Sequence, residues 1–231
     1  MAEGIEHARL SPSQSSRWII CPGSAAEKHP SKPPTVATLY GDRLHDAADE
    51  ILSGRRYLRS DDDPTVAQFV QYVHSIAGDR EIHTETTLQS LTIPDLFGTP
   101  DVLLLGDETT IVDLKTGKWP VKGPRNPQLK TYAFLAYENF AEPDLYECVI
   151  FQHGKPKPAV YSPSVIAKHG ERIKWANDNP DLFVAGEHCM FCPLLQTRRC
   201  STGVQYAEEK TWFEKYKHLQ SSAYTGDSCS S

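Results

Sequence analysis

The sequence predicts an α/β sandwich of modest size. Helical apolar stripes fill its first third, strand-like segments fill its middle, and one further helix falls between two of those strands. With 231 residues, 39% hydrophobic and 23% charged, the chain suits one globular domain with a small appendage.

Each element has its own signal. Residues 1–10 read as a flexible N-terminus lacking the apolar core of a signal peptide. Ser11-Pro12 opens a helix towards Cys21, with proline at its first position. After a loop carrying Pro30, Pro33 and Pro34, a second helix runs from Val36 to Ser53 with Leu44, Ala47, Ala48, Ile51 and Leu52 on one face. Asp63-Pro64 opens a third, with Val66, Phe69, Val70 and Val73 inward. Glu81 to Leu91 reads as a strand. Val102–Leu105 and Thr109–Val112 flank the turn Gly106-Asp107-Glu108 as a hairpin. Asn126-Pro127 starts a helix towards Phe140, Glu147–His153 is a strand, and Ser162-Pro163 starts a helix towards Asn177. The domain spans 11–202 and includes a cysteine-bearing region at 186–202. A terminal helix at 203–220 and a disordered tail at 221–231 complete the chain.

The hairpin carries the chemistry. Folding it about the turn makes cross-strand partners sum to roughly 214, which sets Asp101 opposite Asp113. Asp113 and Lys115 are two apart and share a face. Facing carboxylates destabilise a sheet, and a divalent cation between them removes that penalty. The ordinary alternative is a solvated face with one ion pair. His45, on the second helix, could add an imidazole to a carboxylate site suited to Mg²⁺ or Mn²⁺; otherwise it is a surface or packed histidine. Gln128 and Tyr132 share a helical face and suit contact with phosphate or nucleotide, or are simply half-buried polar residues.

A net charge of −6 argues against a general nucleic-acid coat. Its distribution is uneven, because Lys115, Lys118, Lys122, Arg125 and Lys130 fall between Leu114 and Lys130 with no acidic residue among them. A positive stripe beside a metal site suits a polyanion, although a solvated loop explains it equally well. No run approaches the ~18 apolar residues of a membrane span, so no membrane partner and a cytoplasmic location are expected.

Cys189-Met-Phe-Cys192 is a metal knuckle, with Cys200 following it and Cys21 far upstream. Four thiols fit zinc or an iron–sulfur cluster, and His188 could replace one cysteine at zinc. Cys148 and Cys229 look unrelated.

Taken in order, Gly41-Asp-Arg-Leu-His45, Gly98-Thr-Pro-Asp101, Asp113-Leu-Lys115 and Gln128-Leu-Lys-Thr-Tyr132 resemble the RecB-type nucleases of the PD-(D/E)xK superfamily. One cysteine upstream and three downstream resemble its iron–sulfur branch, which includes AddB and the CRISPR-associated adaptation nucleases. Leu10 to Ser24, Asn126 to Leu129 and Gly186 to Pro193 are similar to a phage and prophage family within that group.

The resemblance implies a restriction-endonuclease-like core sheet flanked by helices, with the terminal segments joined at the cysteines. It implies a metal-dependent DNA exonuclease for phage recombination or end processing. His45, Asp101, Asp113 and the Leu114 carbonyl would hold Mg²⁺ or Mn²⁺, with Asp101, Asp113 and Lys115 as the catalytic set. Gln128, Tyr132, Lys118, Lys122, Arg125 and Lys130 would contact DNA, and Glu85 would be an accessory acid. Cys21, Cys189, Cys192 and Cys200 would ligate a [4Fe–4S] cluster, with Zn²⁺ as the alternative. Linear or single-stranded DNA ends are the expected substrate, a phage single-strand annealing protein the expected partner, and the host cytosol the location. The alternative function is a catalytically silent DNA-binding module stapled by its cysteines.

Overall fold

The computed structural model describes residues 8–25 and 33–210. Its helices, in chain order, are α1 (Ser15–Trp18), α2 (Val36–Leu52), α3 (Pro64–Ala77), α4 (Pro127–Asn139), α5 (Pro163–Asp178), α6 (Pro193–Gln196) and α7 (Ser201–Glu209). The strands are β1 (Ile82–Thr84), β2 (Leu88–Gln89), β3 (Phe97–Gly98), β4 (Val102–Leu104), β5 (Glu108–Lys115), β6 (Leu145–Gln152) and β7 (Lys155–Tyr161). Five of them form one mixed sheet in the order β1-β4-β5-β6-β7, flanked by helices; β2 and β3 form a separate pair. The β5–β6 pair is parallel and its neighbours are antiparallel, so α4 serves as the crossover a parallel pair requires.

Strand periodicity divides the core into two layers. Leu103, Ile111, Cys148 and Ile150 face α4 and α5, with Leu129, Ala133, Ile166 and Ile173 packed there. Val102, Leu104, Val112, Leu114, Val149 and Phe151 face the opposite way, onto Leu44, Ala48, Phe69 and Val73 of α2 and α3. The helix starts follow from local chemistry. Thr35, Asp63 and Asn126 each accept a backbone N–H in the first turn of the helix they cap, and proline occupies the first turn of α3 and α4.

The hairpin register pairs Val102 with Val112, Leu103 with Ile111 and Leu104 with Thr110, which extends to Asp101 facing Asp113. Other expectations are corrected. Residues 8–10 are not loose: Ala8 and Leu10 are buried and Arg9 bonds Asp95 and Asn177. The first helix is a 3-10 turn at Pro12–Gln14 followed by one short α turn. The strand expected over 81–91 breaks at Glu85, whose φ of 45° lies in the left-handed region. Strand β7 was not anticipated, because Pro156 and Pro158 argue against a strand; it pairs only with β6, and an edge position tolerates proline. The terminal helix is described only as α7, and the remainder of 203–220, the tail and Cys229 lie outside the described residues.

Candidate active site

The hairpin end, α2 and the start of α4 converge at one end of the central strands β4 and β5. Gly41 lets α2 approach closely, since a Cβ there would sit 2.8 Å from Thr116 Oγ1. One turn later, His45 Nδ1 donates to Asp101 Oδ1 at 2.7 Å. The other Asp101 oxygen accepts the Leu114 backbone N–H at 2.6 Å. Across the hairpin, Lys115 Nζ lies 2.7 Å from Asp113 Oδ2, and Gln128 Nε2 donates to Asp113 Oδ1 at 2.7 Å. Asn126 sets that geometry by capping α4 through the N–H groups of Gln128 and Leu129.

Among the described residues, His45, Glu85 and Asp101 bring one ligand atom each within 4.8 Å of one another. This differs from the expected set of His45, Asp101, Asp113 and the Leu114 carbonyl. Asp113 turns towards Lys115 and Gln128, Leu114 contributes its N–H, and Glu85 stands where an accessory acid was expected. The bend at Glu85 returns its backbone N–H to the Asp101 carbonyl at 3.4 Å. Asp49, one turn beyond His45, was missed; it accepts from Thr84 Oγ1 at 2.6 Å and its charge reaches Glu85. The His45–Asp49 spacing of four residues on one helix was the available signal.

Crowded carboxylates raise one another's proton affinity. Burial pushes the Asp113 carboxyl up to about 6, Lys115 opposes the shift and the Asp101 charge adds to it. Loss of hydration, then the Asp101 charge, push the Glu85 carboxyl upward. Burial lowers the His45 pKa, but the hydrogen bond and charge of Asp101, with the charge of Asp113, outweigh it and the net shift is upward. An oxygen-rich, partly buried group of this kind with one imidazole fits a hard divalent cation.

The expected DNA contacts separate. Lys118, Lys122 and Arg125 are exposed on the loop after Lys115. Tyr132 is 6% exposed and its hydroxyl lies 3.4 Å from Gln128 Nε2, so it backs Gln128 from inside. Lys130 packs over the Tyr161 ring, 5.9 Å from its centroid, with its pKa lowered by burial and by Arg172.

The four cysteines lie on segments that meet. Gly23 N–H donates to Leu182 O at 2.8 Å and Val184 N–H to Cys21 Sγ at 3.3 Å, which joins the N-terminal segment to the approach to Cys189. Gly203 N–H donates to Cys200 Sγ at 3.3 Å. Cys189, Cys192 and Cys200 share a small apolar cluster with Leu194, Leu195 and Ala207. Burial raises the Cys21 and Cys189 thiols, and each feels Cys192 and Cys200. His188 Nε2 donates to Val184 O at 2.9 Å. Cys148 is buried in β6, away from this group.

Fold and site together define a mixed α/β protein with a carboxylate–imidazole centre at the end of its central strands and a thiol-bearing C-terminal segment. The chain belongs to the family described as a protein of unknown function, DUF2800, which matches residues 56–225. That span holds Glu85, Asp101, Asp113, Lys115 and three of the four thiols; Cys21 and His45 precede it. The chain is similar to the crystal structure of SSO0001, at 10% identity and a TM-score of 0.39, over 87% of this chain and 89% of that one. It is also similar to an alkaline exonuclease from Laribacter hongkongensis, at 11% identity and a TM-score of 0.35, over 73% and 92% respectively. No helix among the described residues is long and apolar enough to cross a membrane.

Proposed function

We propose that the chain is a Mg²⁺- or Mn²⁺-dependent deoxyribonuclease, acting as an exonuclease on linear or single-stranded ends. The observation that carries this is the opposition of Asp101 and Asp113 across one hairpin, with His45 bonded to the first and Lys115 to the second. Carboxylates are costly to face one another in a half-buried site without a cation. His45, Asp101 and Asp113, with Glu85 in reach, would hold the ion. When bound, a divalent ion supplies a water of lowered pKa and neutralises charge on a phosphate.

The remaining chemistry belongs to the chain. Lys115 Nζ, on the same face as Asp113, donates to the scissile phosphate and offsets its developing charge. Gln128 fixes the Asp113 carboxylate, and Tyr132 supports Gln128 from the core. Lys118, Lys122 and Arg125 hold the strand by its phosphates.

The same reading gives Cys21, Cys189, Cys192 and Cys200 a [4Fe–4S] cluster as a staple between the chain's ends, with zinc as the alternative. Two features support a fit: backbone N–H groups aimed at the Cys21 and Cys200 sulfurs, and the Arg17 guanidinium, whose charge reaches Cys21 and Cys192. Both favour thiolate over thiol. Phage recombination and a single-strand annealing partner rest on the resemblance alone.

The test is cleavage of end-labelled linear DNA beside a closed circle, with Mg²⁺ or Mn²⁺, using anaerobically purified protein and Lys115→Ala. Loss of linear substrate alone, abolished in the variant, is expected. Intact DNA with protein of normal fold and full metal content would leave the silent DNA-binding module as the better account.

A further inference from the structure

We infer that Trp119 is a stacking platform for a base of single-stranded DNA, presented beside Lys115 by a loop that Gln152 and Lys157 hold in place. The inference rests on the site being one that acts on nucleic acid. Trp119 is 87% exposed, four residues beyond Lys115. A large aromatic left in water forgoes the burial that normally determines where tryptophan sits.

Its loop is not loose. Gln152 pairs with Lys115 on the adjacent parallel strand and is itself 1% exposed. Its amide nitrogen donates to Gly117 O at 2.9 Å and to Trp119 O at 2.8 Å. Its amide oxygen accepts from Val121 N–H at 2.9 Å and from Lys157 Nζ at 2.8 Å. Lys157 Nζ also donates to Val121 O at 2.9 Å. Gly123 passes so close to the Lys157 carbonyl that a Cβ there would lie 1.9 Å from it. Further along, Arg125 N–H donates to the Tyr161 hydroxyl at 2.9 Å. A buried amide thus spends all its hydrogen-bonding capacity fixing a backbone whose indole faces solvent.

That combination suits binding. Ordering is complete before a ligand arrives, so stacking energy is not lost to immobilising the loop. Exposed Lys118 and Lys122 flank the ring and supply charge complementary to a phosphate backbone. Bases within a duplex already stack on each other, whereas an unpaired base has a free face for an indole. The chemistry therefore selects single-stranded or frayed DNA, and positions its backbone at the Lys115 edge.

The test is fluorescence anisotropy of a labelled oligothymidine and of a blunt duplex in Mg²⁺. It uses Asp113→Asn protein, so that no strand is cut, with and without Trp119→Ala or Trp119→Phe. Trp119→Ala is expected to weaken oligothymidine binding about tenfold, with duplex binding little changed and Trp119→Phe retaining most of the affinity. Equal oligothymidine affinity with and without the indole overturns the inference, as does equal loss for both substrates or failure of the parent to bind either. Cleavage by the native protein is scored separately. DNA cut with normal efficiency for single strands by Trp119→Ala alone would sink the platform and leave the nuclease reading standing.

Discussion

At the residue scale the site is a set of coupled groups, in which the carboxylates oppose one another's ionisation while Lys115 favours that of Asp113 and Asp101 that of His45. Asp113 is 3% exposed and its carboxyl is pushed up to about 6, chiefly by burial. Glu85 shifts upward as well, as does His45 through Asp101. For each acid, the unfolded chain loses its proton at a lower pH than the folded chain. The stability it contributes is therefore full below pH ~4 and is lost as pH rises through its folded pKa. The His45–Asp101 contact is lost in the same direction, above the ordinary histidine value of about 6.5. Metal-free protein is expected to melt at lower temperature at pH 8 than at pH 5, with Mn²⁺ narrowing the gap and Asp113→Asn reducing it. The Asp113 contribution is on the order of 1–3 kcal/mol. Melting curves at the two pH values check this, and a metal-free protein that melts higher at pH 8 would contradict it. Asp101, Asp113 and Lys115 were legible as neighbours because strand parity and the turn position decide which side chains share a face. Glu85 entered only through the resemblance, and the left-handed turn that breaks its strand was not legible, because glutamate rarely adopts it.

At the element scale, α4 has two tasks: it crosses over between β5 and β6, and its first turn carries Gln128 to Asp113. Asn126 caps that turn, accepting from Gln128 and Leu129 at 2.9 and 3.3 Å. Asn126→Ala is expected to cost about 1 kcal/mol, lowering Tm by about 2–4 °C, and to weaken cleavage by loosening Gln128. Calorimetry and initial rates on the same preparation test this; unchanged rates with lowered Tm would confine Asn126 to stability. The helices α3 to α5 were readable because proline in the first turn announces each start, and α2 because its apolar stripe gives its extent. Strands were readable where alternation met a turn. They were not where a tertiary constraint prevailed, as at the edge strand β7 with its prolines, or over 81–91, which Glu85 divides in two. Gln152 reads as an ordinary end to β6, and its grip on the Trp119 loop emerges only when β5 and β6 lie side by side.

At the scale of the whole molecule, the sheet supports both the candidate site and the Trp119 loop, while the thiol-bearing segments meet one another. The carboxylates and imidazole of the candidate site come from α2, the segment after β1, and the β4–β5 hairpin. The loop bearing Trp119 leaves the end of β5 and is tied to β6 and β7. The segment before α2 meets the segment after α5 through Gly23 N–H to Leu182 O and Val184 N–H to Cys21 Sγ. On the proposed function, His45, Asp101 and Asp113 form a divalent-cation site. Its most direct test is Mn²⁺ titration followed by electron paramagnetic resonance on native protein and on Asp101→Asn. Saturable Mn²⁺ binding is expected for the native chain and its loss for the variant, with Tm and secondary structure unchanged. Saturable binding unchanged by Asp101→Asn, or no binding by well-folded native protein, would contradict it.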